Sequence, residues 1–479
     1  MIEDLIKLEK KAAQLEPDSN TRDELMHKVW DYAAEYLNEL KNDRAFKGKP
    51  KQKHTIERFE ISESPDTMKS TLSDFDNNVM QSGINGAHGG HLGYVPGGGL
   101  FPSALGDLLA AITNRYAGIF YASPGAANME HSLVDWMGDL FGLPEATRGG
   151  TLTSGGSIAN LTAVTTARDS KGVSAAHFQD LCIYCTLQTH HCVDKALKIA
   201  GLADAKLRRI PMDSSYRMDA VELEKQIKED KQQNLIPLMI IGTAGTTDMG
   251  VMDPLNELAQ IAQQHSIWFH VDAAYGGFFN LVEDLKPKFS GIEKADSIVV
   301  DPHKSLFLPF GTGALLVREK QKLYESQHLV ADYMQDSQEP GFNLSPADLS
   351  PELTRHYRGL RMWLPLKLFG VKAFRNALKE KHLLSRYAWQ QLQTIDNIET
   401  GPQPDLSILF FRYLPERGNT DQFNQQLIKK IQDDGQIFLS STRIEGRFYI
   451  RIAVLSFRTH LSEVNKAIER IKTFCHELD

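Results

Sequence analysis

Ser297-Ile-Val-Val-Asp-Pro-His-Lys-Ser305 is the stretch on which the reading of this chain turns. Ile298, Val299 and Val300 form an apolar run that ends at Asp301, and Lys304 follows directly behind His303. This is the pattern of a buried strand that delivers polar groups at its carboxyl end. Upstream, Trp268-Phe-His-Val-Asp-Ala-Ala-Tyr-Gly-Gly277 repeats it and ends at Asp272. Continuous apolar runs of this kind belong to parallel sheets covered on both faces, and ligands gather beyond the carboxyl ends of such strands. Taken singly, a lysine in a loop or an aspartate at a strand end is an ordinary solvated or turn-forming residue. Together, in order, each closing an apolar run, they mark a site.

Working outward, residues 91–365 alternate between apolar strands and amphipathic helices. Candidate strands are Cys182–Thr186, Leu238–Gly242, Ile267–Asp272, Ser297–Val300 and Ala314–Arg318, with helices such as Leu223–Lys231 and Leu255–His265 between them. That alternation predicts an α/β unit with a mostly parallel sheet. Residues 1–90 read as a helical segment. In it Leu25, Val29, Ala33, Leu37 and Leu40 recur at helical spacing behind a cap at Asn20 or Thr21, and a basic connector, Lys47 to Lys53, follows. Residues 366–479 read as a small α+β unit. Its strands are Leu406–Tyr413 and Phe448–Val454, and its closing helix is marked by Leu461, Val464, Ile468, Ile471 and Phe474.

Bulk properties exclude several classes. A chain of 479 residues exceeds one ordinary core, and a net charge of −8 without a long basic run argues against a nucleic-acid surface. The start lacks the basic and apolar regions of a secretory signal, and no apolar run reaches membrane-spanning length. Four cysteines in so long a chain do not make a disulfide framework, so the expected compartment is the reducing cytoplasm. Cys182 and Cys185 have CxxC spacing, with His190, His191 and Cys192 close behind. Residues three apart on a strand point to opposite faces and no second CxxC exists, so no metal is expected.

Two further pieces bear on the chemistry. Thr153-Ser-Gly-Gly-Ser-Ile-Ala-Asn160 places two glycines between serines at the start of a helical run, a cradle in which backbone N–H groups and the helix dipole favour a phosphate. His190 lies just beyond a strand of the same sheet, where an imidazole can stack on a flat ring or serve as a hydrogen-bonded structural residue. One cofactor suits the pair Asp272 and Lys304. Pyridoxal 5'-phosphate needs a lysine amine for its Schiff base and a carboxylate to keep its pyridine nitrogen protonated.

With these residues on view, the chain resembles the group II pyridoxal-phosphate-dependent amino acid decarboxylases, which include aromatic-amino-acid, histidine, glutamate and diaminobutyrate decarboxylases. The resemblance runs from about residue 75 to the end. It also takes in Tyr94-Val-Pro96, Ala122-Ser-Pro124, His356-Tyr-Arg-Gly-Leu-Arg-Met-Trp363 and Arg451-Ile-Ala453. It implies the fold-type I, aspartate-aminotransferase-like scaffold and a homodimer with the site at the interface, where the N-terminal helices clasp the partner. It also implies residue roles. Lys304 would bind the cofactor covalently, Asp272 would meet the ring nitrogen, His190 would stack on the ring and Ala274 would pack its other face. Gly155, Gly156 and Ser157 would hold the phosphate with His303 and Asp301, and Thr246 would sit beside the cofactor. Arg451 would line the site and meet a substrate carboxylate.

The chain departs from the family in one place. The decarboxylases use a loop tyrosine to protonate the substrate carbon, whereas alignment back from Arg358-Gly-Leu-Arg-Met-Trp363 puts Phe342 there, with Tyr333 further upstream. Phenylalanine has no exchangeable proton. In related aldehyde synthases such a phenylalanine accompanies oxidative deamination to an aldehyde, ammonia and peroxide. An alignment slip in the loop, or another acid such as His191, leaves the amine as product. Tyr94, Pro96, Phe101 and Tyr121 suit an aromatic or apolar substrate or plain core packing, whereas Arg115 and Arg451 keep an acidic one open. The expected reaction is α-decarboxylation of an L-amino acid. Oxidative deamination, transamination and cofactor binding without turnover are the alternatives.

Overall fold

A computed structural model describes residues 1–48, 59, 61–329 and 344–479. The apolar runs become the strands of a seven-stranded sheet: β1 Gly149–Thr153, β2 Leu181–Cys185, β3 Lys206–Arg209, β4 Ile236–Thr243, β5 Trp268–Asp272, β6 Ser297–Val300 and β7 Gly313–Val317. Their order is β1-β7-β6-β5-β4-β2-β3. β7 runs antiparallel to both its neighbours, and the other adjacent pairs are parallel. The central strands β4, β5 and β6 are buried almost throughout, which is why they lack a polar face.

The side chains of β2 show the two-faced burial directly. Cys182 and Tyr184 join the core on one side of the sheet, while Leu181, Ile183 and Cys185 join the core on the other. The two cysteines of the CxxC spacing therefore point apart.

A second, antiparallel sheet has the order β10-β11-β9-β8, from β8 Ile398–Thr400, β9 Ile408–Tyr413, β10 Ser440–Ile444 and β11 Arg447–Ala453. Its own core takes Leu427 and Ile431 from the helix Thr420–Asp434 and Val464 and Ile471 from the helix Leu461–Leu478. A long helical stretch, Gly359–Leu392, leads into this part and is broken at Gly370, whose φ of 68° and ψ of 156° are not helical.

The N-terminal helices are Ile2–Ala12 and Ser19–Glu39, and neither has a buried residue. The second begins earlier than the sequence reading placed it. Asp18, not Asn20 or Thr21, is the cap, and its carboxylate accepts from the Thr21 N–H at 2.8 Å. Aspartate ranks among the best residues for that position. Of the basic connector, residues 49–53 lie outside the described residues. Among the described residues no helix is long and apolar enough to cross a membrane.

Candidate active site

Beyond Thr153 at the end of β1, the chain turns through Ser154 and Gly155 into the helix Gly156–Ser170. Gly155 has a φ of 150°, a conformation that favours glycine. A Cβ on Gly156 would stand 2.9 Å from Asp301 Oδ2, and one on Gly313 of β7 would stand 2.6 Å from Gly155 Cα. The turn is therefore pressed against the polypeptide that follows β6. The first turn of its helix leaves backbone N–H groups, those of Gly156 and Ser157 among them, without partners inside the helix.

This turn forms one wall of a cavity of about 260 Å³ at the carboxyl ends of β1, β2, β4, β5 and β6. Gly155, Gly156, Ser157, His190, Asp272, Ala274, Asp301, His303 and Lys304 all line it, so nine of the residues expected from the sequence come together. Lys304 sits in the single helical turn Pro302–Ser305, with Nζ 3.0 Å from Asp301 Oδ2. Burial pulls the lysine amine down, but Asp301 and then Asp272 more than compensate and hold it above its ordinary range. Asp272, at the tip of β5, accepts from the Ala274 N–H at 3.1 Å and from Asn160 Nδ2 at 3.4 Å.

Charge and tautomer refine two expectations. A carboxylate has no proton to offer a phosphate, and Asp301 Oδ2 instead faces Lys304 Nζ at 3.0 Å and His303 Nε2 at 3.8 Å. His303 Nδ1 lies 2.6 Å from the Thr312 carbonyl, which can only accept, so that nitrogen carries the proton. Burial pushes the imidazole below its ordinary range, which leaves Nε2 bare unless an anion brings a second proton. His190 is also pushed down by burial, with Asp272 opposing. Its Nδ1 accepts from the Cys192 N–H at 3.3 Å, and its ring tilts against His191 at a centroid distance of 4.2 Å.

Other expected residues fall elsewhere. Thr246 does not line the cavity. Its neighbours Gly245 and Thr247 do, while its hydroxyl accepts from the Val251 N–H at 3.1 Å and closes its own loop. Arg451, on β11, is buried and spends its donors on the Asp248 carbonyl at 2.7 Å, Ser440 Oγ at 2.9 Å, the Tyr94 carbonyl at 3.4 Å and the Thr247 carbonyl. It pins the cavity's loop to the smaller sheet.

Tyr94, Pro96, Phe101 and Tyr121 are not on the cavity wall of the single chain. Tyr94 is exposed and tilts against Phe438, and Phe101 tilts against Trp30. Pro96 is buried beside Gly97, where a Cβ would stand 2.8 Å from the His303 carbonyl. Arg115 is exposed. Tyr333 and Phe342 lie outside the described residues.

Sequence reasoning gave no role to Asn160, Gln188, Cys192 and Thr243, which also line the cavity. Asn160 stands one helical turn after Gly156, so the spacing that puts it over the glycine turn was available. Burial pushes the Cys192 thiol up to about 12, so it is a neutral group there. Three buried polar atoms on the lining, Gln188 Oε1, Thr243 Oγ1 and Asp301 Oδ1, have no partner among the described residues. Orphaned polar atoms, a glycine turn at a helix start, a carboxylate and a lysine amine around one small cavity fit pyridoxal phosphate.

Comparison with known proteins agrees. The pyridoxal-dependent decarboxylase conserved domain matches residues 50–414. The aromatic-L-amino-acid decarboxylase of Bacillus atrophaeus is 33% identical over 425 residues, which cover 87% of this chain and 88% of that protein. The crystal structure of Oryza sativa TDC with PLP and tryptamine superposes with a TM-score of 0.91 at 24% identity, over 97% of this chain and 99% of that one. Rhodiola rosea 4-hydroxyphenylacetaldehyde synthase superposes with a TM-score of 0.87 at 22% identity, over 96% and 99% of the two chains. At such identities the two structures are likenesses of fold.

Proposed function

The chain belongs to the pyridoxal-dependent decarboxylase family, and on that premise we propose that this carboxy-lyase acts on an aromatic L-amino acid and releases the amine and carbon dioxide. One observation carries the reading: Asp272 at the end of β5 and Lys304 in the turn that follows β6 meet on the same cavity, with the lysine amine raised above its ordinary range by Asp301 and Asp272. Aromatic specificity is supported by the name of the Bacillus relative.

When bound, pyridoxal phosphate supplies an electron sink for the bond that breaks at the substrate Cα. Lys304 Nζ would hold it covalently, with Asp301 as the counter-ion that keeps the amine in place beforehand. Asp272 would favour the protonated ring nitrogen by its charge. The N–H groups of the Gly155–Ser157 turn would take the phosphate, His190 would cover one ring face and Ala274 the other. Arg451 would act on the substrate through the loop that it holds. The working unit on this reading is a homodimer, which would cover the exposed Ile2, Leu5, Ile6, Val29 and Trp30 of the N-terminal helices.

Phe342 favours a second reading, in which the missing loop proton lets oxygen intervene and an aldehyde forms. The deciding experiment is product analysis in air over a panel of L-amino acids, with carbon dioxide, amine, aldehyde and peroxide scored together. Amine equal to carbon dioxide, on aromatic substrates, supports the first reading. Aldehyde and peroxide equal to carbon dioxide support the second, and no carbon dioxide from any amino acid sinks both. In parallel, borohydride should fix the cofactor to the wild-type chain and not to Lys304→Ala. Fixation to that variant would remove Lys304 from its role.

A further inference from the structure

A row of buried polar groups runs down the sheet to Asp272, and only its last two members, Asn160 and Asp272, reach the cavity. Trp268, His270 and Asp272 alternate along β5 and so share one face, which the helix Gly156–Ser170 covers. Ser297 opens β6 in register with His270. Trp268 Nε1 donates to Ser297 Oγ at 2.8 Å, and His270 Nδ1 lies 2.8 Å from the same oxygen. On its other side His270 Nε2 lies 2.9 Å from Asn160 Oδ1. Asn160 Nδ2 then faces the Gly156 carbonyl at 2.9 Å, Asp272 Oδ2 at 3.4 Å and Cys192 Sγ at 3.5 Å.

Every proton in this row can be assigned. An indole N–H only donates, so Ser297 Oγ accepts from Trp268. Three acceptors surround Asn160 Nδ2, which fixes the amide orientation and turns Oδ1 to His270. His270 Nε2 must therefore carry hydrogen. Burial pushes this imidazole down to about 4, so it is neutral at working pH and its Nδ1 is bare. Ser297 then gives its single proton to Nδ1. The row has one direction, and it ends on the Asp272 carboxylate.

A satisfied core histidine is the ordinary explanation for such a residue, yet an apolar side chain at this position would need no partners at all. Burying polar groups is costly unless each is paired. Here His270, Ser297 and Asn160 are each 1% exposed or less and all are paired. The amide at the end touches both the carboxylate and the carbonyl of Gly156, the first residue of the cradle helix. One side chain thus ties together the two ends of the cavity.

We propose that His270 is a positioning residue which, as the neutral Nε2–H tautomer backed by Ser297 and Trp268, aims the Asn160 amide so that the Asp272 carboxylate and the Gly156 turn are held in register for the cofactor. This rests on the reading that Asp272 meets the ring nitrogen, and the test separates the two. The measurement is the dissociation constant, by quenching of protein fluorescence, for pyridoxal phosphate and for its analogue with carbon in place of the ring nitrogen. The full chain is used, as wild type, Asp272→Asn, His270→Leu, His270→Gln and Ser297→Ala.

The wild type should prefer the nitrogen ring, and Asp272→Asn should erase the preference. His270→Leu should reduce it about tenfold, the weight of one buried hydrogen bond to a charged group. His270→Gln, whose amide nitrogen falls near Nε2 and can donate to Asn160, should restore most of it. Ser297→Ala should reduce it about threefold. An unchanged preference in His270→Leu, with the preference lost in Asp272→Asn, overturns the relay and leaves His270 as core filler. A preference that survives Asp272→Asn overturns the reading of Asp272 instead. If His270→Leu does not fold, Ser297→Ala decides, and full preference there overturns the proposal. Independently of any cofactor, the side-chain nitrogen shifts of His270 in histidine-labelled protein, assigned by their loss in His270→Gln, should report Nε2–H. Nδ1–H would overturn the assignment.

Discussion

Arg451→Leu separates two uses of one guanidinium, as a clamp on the cavity loop or as a receptor for the substrate carboxylate. The contacts to the Asp248 carbonyl at 2.7 Å and to the Thr247 carbonyl are made to half-buried backbone, so each contributes about 1.5 kcal/mol, the low end for a charged donor. The contact to Ser440 Oγ at 2.9 Å adds about 1 kcal/mol. The contact to the Tyr94 carbonyl is long, at 3.4 Å, and adds little. Leucine returns about 1 kcal/mol, because the variant no longer desolvates a guanidinium. The net loss is about 3 kcal/mol, borne by the protein without any ligand. Urea unfolding of the cofactor-free chain, followed by tryptophan fluorescence, should show a midpoint lower by about 1 M for a slope of about 3 kcal/mol/M. Ser440→Ala should move it by about a third as much. A wild-type midpoint in Arg451→Leu together with a raised KM for the amino acid would refute the clamp and put the guanidinium on the substrate.

Gly156→Ala should fold, since alanine suits a helix, but its Cβ would crowd Asp301 Oδ2 at 2.9 Å, and cofactor affinity should fall about tenfold or more; titration of the cofactor-free variant checks this. Arg355→Met should destabilise by about 3 to 5 kcal/mol, because it leaves the buried Glu130 carboxylate without its partner at 2.6 Å. Adding Glu130→Gln should recover most of that in urea unfolding, and no recovery would mean that the pair's charge is not what matters. Burial pushes both His91 and His270 from 6.5 down to about 4. The unfolded chain takes up these protons near pH 6.5 and the folded chain only near 4. Their contribution is therefore whole above pH 6.5 and drains as the pH falls towards 4, by at most about 1.4 kcal/mol per pH unit for each. His270→Gln should flatten the fall of the urea midpoint across that window, and an unchanged slope would refute the assignment.

The central strands were legible because they are buried on both faces, and β2, β4, β5, β6 and β7 lie within two residues of where their apolar runs place them. β1 was not, since Gly149 and Gly150 look like a turn. Gly150 is there because a Cβ would stand 2.2 Å from the Leu315 carbonyl of the adjacent strand. β3, Lys206-Leu-Arg-Arg209, is a charged edge strand whose Arg208 pairs with the buried Asp230 at 2.6 Å, and periodicity cannot show that. Lys304, Asp272 and the glycine turn could be read because each ends an apolar run or begins a helix. Thr243 could not, because its place depends on the order of strands in the sheet. Helical spacing puts Asn160 over the glycine turn, but its partners His270 and Asp272 depend on that strand order too. The Thr247 and Asp248 carbonyls that Arg451 holds are some 200 residues away in the chain, so no local pattern announces the clamp.

The buried cysteines bear on how the protein lives with oxygen. All four are free, and burial pushes Cys182 and Cys185 up to about 11 and Cys192 and Cys475 up to about 12. At physiological pH the thiolate fraction of each is below about one in a thousand, and it is the thiolate that attacks peroxide. A catalyst whose own turnover releases peroxide would be spared sulfenic-acid damage by this arrangement. Slow inactivation in air, if seen, would then point away from sulfhydryl chemistry, and adding a reductant should not prevent it.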